Sequence, residues 1–399
     1  MKKNQFIFYF FSLLFFIFLF QMPLKAFKLS EKAQISIITG APGEDLYAVF
    51  GHSGIRVYDS FYGLDVMYNY GTFDFDEPNF MGKFIQGRLN YSLSKENYAA
   101  FLAFYQSQGR PVYEQILNIN LTQKQAILDF LENNFLPKNR YYLYDFFYDN
   151  CSTRVRDVLA KSLEKKLVFG QSSAPEKFTF RDFLAPYLSE PWLNVGITLI
   201  LGLPADKKPN YSEQMFLPNK LQNAFDNAKI INEKGESVPL VIITKQPVGE
   251  FIVKKIPIFT PTIIFSTFFL LFALVSYLGF KNGRHSFLLD GFLFGLLGLI
   301  GIFFIGMSVF TDHKAVQSNL NVVWALPTHF LVIWFFLKKT KPTWLSLYFG
   351  INLFLIGLLL AAWVIFPQRL HFSLIPIFLI IGLRSFKLYS FLKKVLLHK

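Results

Sequence analysis

Apolar and polar positions are distributed very unevenly along the chain. Residues 6–20, FIFYFFSLLFFIFLF, form an apolar run behind the basic start Met1-Lys2-Lys3. That order predicts a secretory signal, or an N-terminal anchor if it is not cleaved, over 1–26. Residues 27–255 have the mixed composition of a globular domain. Residues 256–399 are nearly continuous apolar runs broken by short basic or polar loops. Candidate spans fall near 257–280, 286–310, 320–337, 343–365 and 371–391, each long enough to cross the hydrocarbon core as helix. The last is interrupted by Arg384 and Lys387. Asp290 lies inside a span near its cytoplasmic end and is expected to reach back to water.

Within 27–255, QISIITG (34–40) reads as a strand. GHSGIRVYDS (51–60) and DVMYNYG (65–71) read as a hairpin around Gly63. KENYAAFLAFYQSQ (95–108) and TQKQAILDFLENNF (122–135) carry helical spacing, the second with Thr122 as its expected N-cap. VYEQILNINL (112–121) alternates and reads as a strand. CSTRVRDVLAKSLEKK (151–166) places Val155, Val158, Leu159 and Leu163 on one helical stripe. The pattern over 170–255 is weak and rich in proline. The expectation is an α+β external domain followed by a bundle of about five transmembrane helices.

Composition agrees. The chain is 52% hydrophobic with 50 phenylalanines, too apolar for a soluble protein. Its net charge of +13 would suit nucleic acid, but much of it flanks the spans, so no nucleic-acid partner is expected. With the globular domain outside, the inside segments hold Lys281, Arg284, Lys338, Lys339, Lys341, Arg384, Lys387, Lys393, Lys394 and Lys399. The outside loops hold only Lys314 and Arg369, as the positive-inside rule requires.

The chain has one cysteine, Cys151, and it lies in an exported domain at a helix start. A lone thiol cannot form an internal disulfide and is a liability outside the cytoplasm. Asn150 or Asp149 can cap the helix. Free N–H groups of the first turn, around Asn150 and Ser152, favour a thiolate and can hold an oxyanion. The other reading is a small buried hydrophobe. A cysteine nucleophile needs a base, and His52 is the one histidine of the domain. Asn69 on the next strand is the candidate third member, with Asp65 and Glu44 competing. One cysteine and one histidine cannot make a zinc site, so neither metal nor cofactor is expected.

Histidine before cysteine reverses the papain order. His52-Ser53-Gly54-Ile55-Arg56-Val57 and Asn150-Cys151 resemble the circularly permuted NlpC/P60-like group, which implies a papain-like fold. Over longer stretches the chain resembles Lnb-type lipoprotein N-acyltransferases. The stretches are ISIITGAPGEDLYAVFGHSGIRVYD, VMYNYGTFDF, YLYDFFYDNCSTRVRD, MFLP (215–218) and TDHKAVQSNLNVVWALP (311–327). The resemblance implies a multi-pass protein of the bacterial inner membrane with a periplasmic catalytic domain. It implies a phospholipid acyl donor, a diacylated lipoprotein acceptor and a thioester on Cys151. The external loop 311–319, with His313 and Asn319, is a candidate contribution to the site or to headgroup contact. A cell-wall cysteine peptidase or amidase, or a phospholipase, uses the same two side chains and is the alternative.

Overall fold

The computed structural model describes residues 27–171, 177–249, 257–282 and 285–397. The segment expected as signal or anchor, 1–26, lies outside the described residues, as does the expected domain boundary at 255/256.

The N-terminal domain is built on one antiparallel sheet. Its strands are β1 (Ala33–Gly40), β2 (His52–Asp59), β3 (Leu64–Thr72), β4 (Asn90–Asn97), β5 (Val112–Leu117), β6 (Tyr141–Leu143) and, after a small sheet, β10 (Val241–Val248). Their order is β10-β5-β1-β2-β3-β4-β6. Strands β7 (Leu167–Val168), β8 (Lys229–Ile231) and β9 (Ser237–Pro239) form the small sheet. The expected hairpin is β2–β3, in register from Gly54 opposite Asn69 to Asp59 opposite Leu64.

Four helices accompany these strands: α1 (Phe80–Gln86), α2 (Tyr98–Ser107), α3 (Leu121–Phe135) and α4 (Cys151–Leu163). The stripe of Val155, Val158, Leu159 and Leu163 on α4 packs against Ile55 and Val57 of β2 and Tyr68 of β3 in a single buried cluster. Burial of each such side chain stabilises the pair of layers by about 1.5–3 kcal/mol. Short helices α5 (Phe180–Leu184), α6 (Pro191–Ile200), α7 (Tyr211–Gln214) and α8 (Pro218–Asp226) complete the domain.

Three local expectations are corrected. Residues 90–97 form a strand, so helix α2 begins at Tyr98 rather than near 95; Asn97 caps it by accepting from the Ala99 and Ala100 N–H groups. Helix α3 is capped by Asn120, not Thr122, in a reciprocal capping box with Gln123. The strand starting at 112 ends at Leu117.

The C-terminal part contains α9 (Pro261–Lys281), α10 (Phe287–Phe310), α11 (Thr328–Leu337), α12 (Trp344–Ala361) and α13 (Ile375–Leu397). Among the described residues five segments are long and apolar enough to cross a membrane. The third, Lys314–Leu337, is broken: only α11 is α-helical, and its first half is two 3₁₀ turns, Lys314–Val316 and Leu320–Val323. Side-chain amides satisfy this irregular backbone and its neighbours. Asn319 Nδ2 donates to the Leu199 and Ile200 carbonyls, and Asn321 Nδ2 to Leu199. Gln368 Nε2 donates to Asn319 Oδ1 from the loop beyond α12.

Asp290 does not reach water. It is 0% exposed and accepts from Arg384 Nε of α13 at 2.6 Å. His285 Nε2 lies 2.8 Å from its other oxygen. Arg384, 1% exposed, also donates to Ser276 Oγ of α9. An ionised residue in this setting is held by an opposite charge from a neighbouring helix. Arg384 is thus a packing residue of the bundle rather than a loop charge.

Candidate active site

Cys151 is the first residue of α4. Asn150 is the N-cap: its Oδ1 accepts from the Ser152 and Thr153 N–H groups, and Thr153 Oγ1 accepts from the Asn150 N–H. Asn150 Nδ2 donates to the Phe146 and Phe216 carbonyls. The MFLP segment therefore fixes the cap from outside the helix. The cap occupies the Ser152 N–H that the sequence reading offered to an oxyanion. Ser152 Oγ instead shares a hydrogen bond with Ser53 Oγ of β2, 3.0 Å away. That contact ties the helix start to the strand start beside His52.

His52 and Cys151 lie close enough for each side chain to shift the titration of the other. His52 Nε2 lies 2.9 Å from Asn69 Oδ1, which leaves Nδ1 for the sulfur. Asn69 Nδ2 donates to Glu96 Oε1 of β4. The register explains this line of contacts. Gly54, two residues from His52, pairs with Asn69, and Ser94, two residues from Glu96, pairs with Asn69 on its other side. Residues two apart share a face, so the three side chains run diagonally across β2, β3 and β4. Gly54 keeps the path open, since a Cβ there would lie 3.0 Å from Asn69 Oδ1 and closer still to Met67.

The electrostatics favour an ion pair. Burial pushes the Cys151 thiol up. The His52 charge, its hydrogen bond, the Ser53 N–H and the Ser152 hydroxyl outweigh burial and bring it below the ordinary value. Burial likewise opposes charge on His52, but Cys151, Asn69 and Glu96 together raise it. Cys151 is 8% exposed, so the sulfur is largely covered but not sealed.

The competing third members are elsewhere. Asp65 is paired with Arg56 at 2.7 Å, and Glu44 is exposed on the turn after β1. Residues of the 311–319 loop meet the N-terminal domain at other points. His313 Nε2 donates to the Phe84 carbonyl, and Asn319 holds α6 as described. Glu96 falls in KEN, which reads as a helix start from sequence; the alternation in YSLS (91–94) is the signal for a strand running toward it.

The family comparisons agree with this architecture. The Lnb N-terminal periplasmic domain matches residues 22–186, and the Lnb transmembrane domain matches residues 253–395. No curated protein and no solved structure gives a significant match. Fold and matches define a membrane-spanning enzyme with a periplasmic α+β domain. The chain belongs to the Lnb family.

Proposed function

We propose that this protein is a lipoprotein N-acyltransferase of the bacterial inner membrane, with Cys151 as nucleophile, His52 as base and Asn69 as its orienting partner. His52 Nδ1 takes the thiol proton, and the thiolate attacks an ester carbonyl of a membrane phospholipid. Collapse of the tetrahedral adduct expels the glycerol oxygen, which takes the proton from His52. Lysophospholipid leaves and a thioester remains on Cys151. The α-amine of an S-diacylglyceryl-cysteine then attacks the thioester carbonyl. Cys151 leaves as thiolate, the amine loses its proton to His52, and an amide forms. The Cys151 N–H of the capped turn is the backbone donor available for the oxyanion.

One observation carries this reading: Cys151 and His52 are neighbours in a domain bound directly to a bundle of membrane-spanning helices. A phospholipid ester and a lipid-anchored amine are both presented at such a surface. A soluble cell-wall peptide needs no bundle of this size.

The test is replacement of Cys151 by Ala in cells that have no other N-acyltransferase. Lipoprotein N-terminal masses are expected to lose one acyl chain. Persistence of N-acylation overturns the proposal, and a change confined to cell-wall peptides identifies a hydrolase.

A further inference from the structure

Helix α1 has no buried residue. Met81 and Ile85 on it and Phe75 before it are 62%, 45% and 65% exposed. A cluster of large apolar side chains of this kind marks an interaction surface.

Hydrogen bonds fix its level relative to the membrane-spanning helices. The Asp312 N–H donates to the Gln86 carbonyl at 2.8 Å, and His313 Nε2 donates to the Phe84 carbonyl at 2.8 Å. Arg88 Nε donates to Asp312 Oδ2 at 2.8 Å. Gly87 permits this approach: its φ is +71°, and a Cβ there would lie 3.1 Å from the His313 nitrogen. Asp312 and His313 follow α10 almost directly, and the helix ends in Val309 and Phe310, both widely exposed. On a membrane-spanning helix such residues face lipid. The apolar surface of α1 therefore continues the lipid-facing surface of α10.

From α1 a series of aromatic rings leads to the nucleophile. Phe84 stacks on Phe80 at 6.1 Å between centroids, and Phe80 lies 5.9 Å from Phe73. Phe73 lies 5.3 Å from Tyr91, and Tyr91 lies 4.6 Å from Tyr144. Tyr144 and Cys151 border the same space over Gly71: a Cβ at Gly71 would be 3.6 Å from the Tyr144 ring and 3.7 Å from Cys151 Cβ.

We propose that α1 and these rings form a lipid-docking surface. Helix α1 sits in the outer leaflet beside α10, and the rings receive a phospholipid acyl chain and lead it from the bilayer to Cys151. Rigid rings offer apolar area at little entropic cost, and the tyrosines place hydroxyls at the end where an ester must lie. Docking rests on the fold alone; delivery to Cys151 also rests on the acyl-transfer reading above.

The experiment uses the full chain in lipid nanodiscs. With Cys151→Ser removing the native thiol, Met81→Cys is labelled with a bimane dye. Quenching by a phospholipid carrying a nitroxide near its headgroup, with protection from aqueous iodide, is expected. Iodide quenching without nitroxide quenching overturns the docking. In the same nanodiscs, a phospholipid with a diazirine on its acyl chain is expected to cross-link within residues 73–91. Cross-links confined to α9–α13 overturn the ring path. Acylation of intact Cys151, read by protein mass, is scored separately. Its absence alongside a lipid-quenched dye removes the acyl-transfer reading and leaves the docking standing.

Discussion

Asn69 gives its side-chain N–H to Glu96 and turns its carbonyl oxygen toward His52 Nε2. A carboxylate only accepts, so Glu96 sets which way the amide of Asn69 points. The carbonyl then requires a proton on Nε2, and Nδ1 is left to exchange its proton with the sulfur. Glu96 is a positioning residue. Glu96→Gln keeps the shape but can reverse the amide and with it the tautomer. The iodoacetamide alkylation rate of Cys151 at neutral pH is expected to fall on the order of 10-fold, with its midpoint moved to higher pH. Alkylation indistinguishable from wild type would remove Glu96 from the mechanism.

The coupled shifts of His52 and Cys151 predict a bell-shaped pH dependence. Cys151 is lowered, so thiolate is lost only as pH falls through that depressed value. His52 is raised, so imidazolium is lost only as pH rises through that elevated value. The reactive pair is populated between the two. His52→Ala removes the main source of the lowered thiol, and thiolate then forms only toward the ordinary cysteine range of about 8.5. Alkylation rate against pH measures both limbs; an unchanged profile in the variant contradicts the ion pair.

Asn150→Ala combines two losses. The Ser152 and Thr153 N–H groups lose their cap, worth about 1 kcal/mol. The Phe146 and Phe216 carbonyls lose a donor in a buried setting, which adds about 1–3 kcal/mol. The thermal unfolding midpoint of the detergent-solubilised protein is expected to drop by several degrees. Asn150→Asp keeps the N–H acceptor but not the amide donor and is expected to fall between.

Arg384→Leu leaves Asp290 buried without its cation. The expected cost is about 3–5 kcal/mol, read as loss of monodisperse protein after solubilisation. The double variant Asp290→Leu with Arg384→Leu removes both charges and is expected to recover most of it. Failure of the double variant to exceed the single one would mean that Asp290 has a role besides pairing.

The sequence was most legible where one period controlled one layer. The α4 stripe and the β2–β3 hairpin follow directly from apolar spacing, because burial on one face is what that spacing encodes, and most of the spans follow from the length of unbroken apolar runs. The unique thiol and the domain's one histidine were conspicuous by count. The contacts that finish the site were not: Glu96 reaches Asn69 only through strand register, and Phe216 reaches Asn150 only through tertiary packing. Asp290 was misjudged for the same reason. Its partner lies on α13, and no local pattern announces a neighbour so remote in sequence. The break before α11 depends on Asn319 and Asn321 finding carbonyls on α6. Strand β10 escaped notice because its side chains are mostly exposed, and its place in the sheet comes from backbone pairing with β5.

That last strand has a practical consequence. Residues 241–248 hydrogen-bond to β5, which adjoins β1, which adjoins the strand bearing His52. A soluble fragment cut after residue 186 would strip one edge from the sheet and leave β5 open to pairing with other molecules. Expression of the water-soluble half should therefore run through Val248, and a shorter version should aggregate.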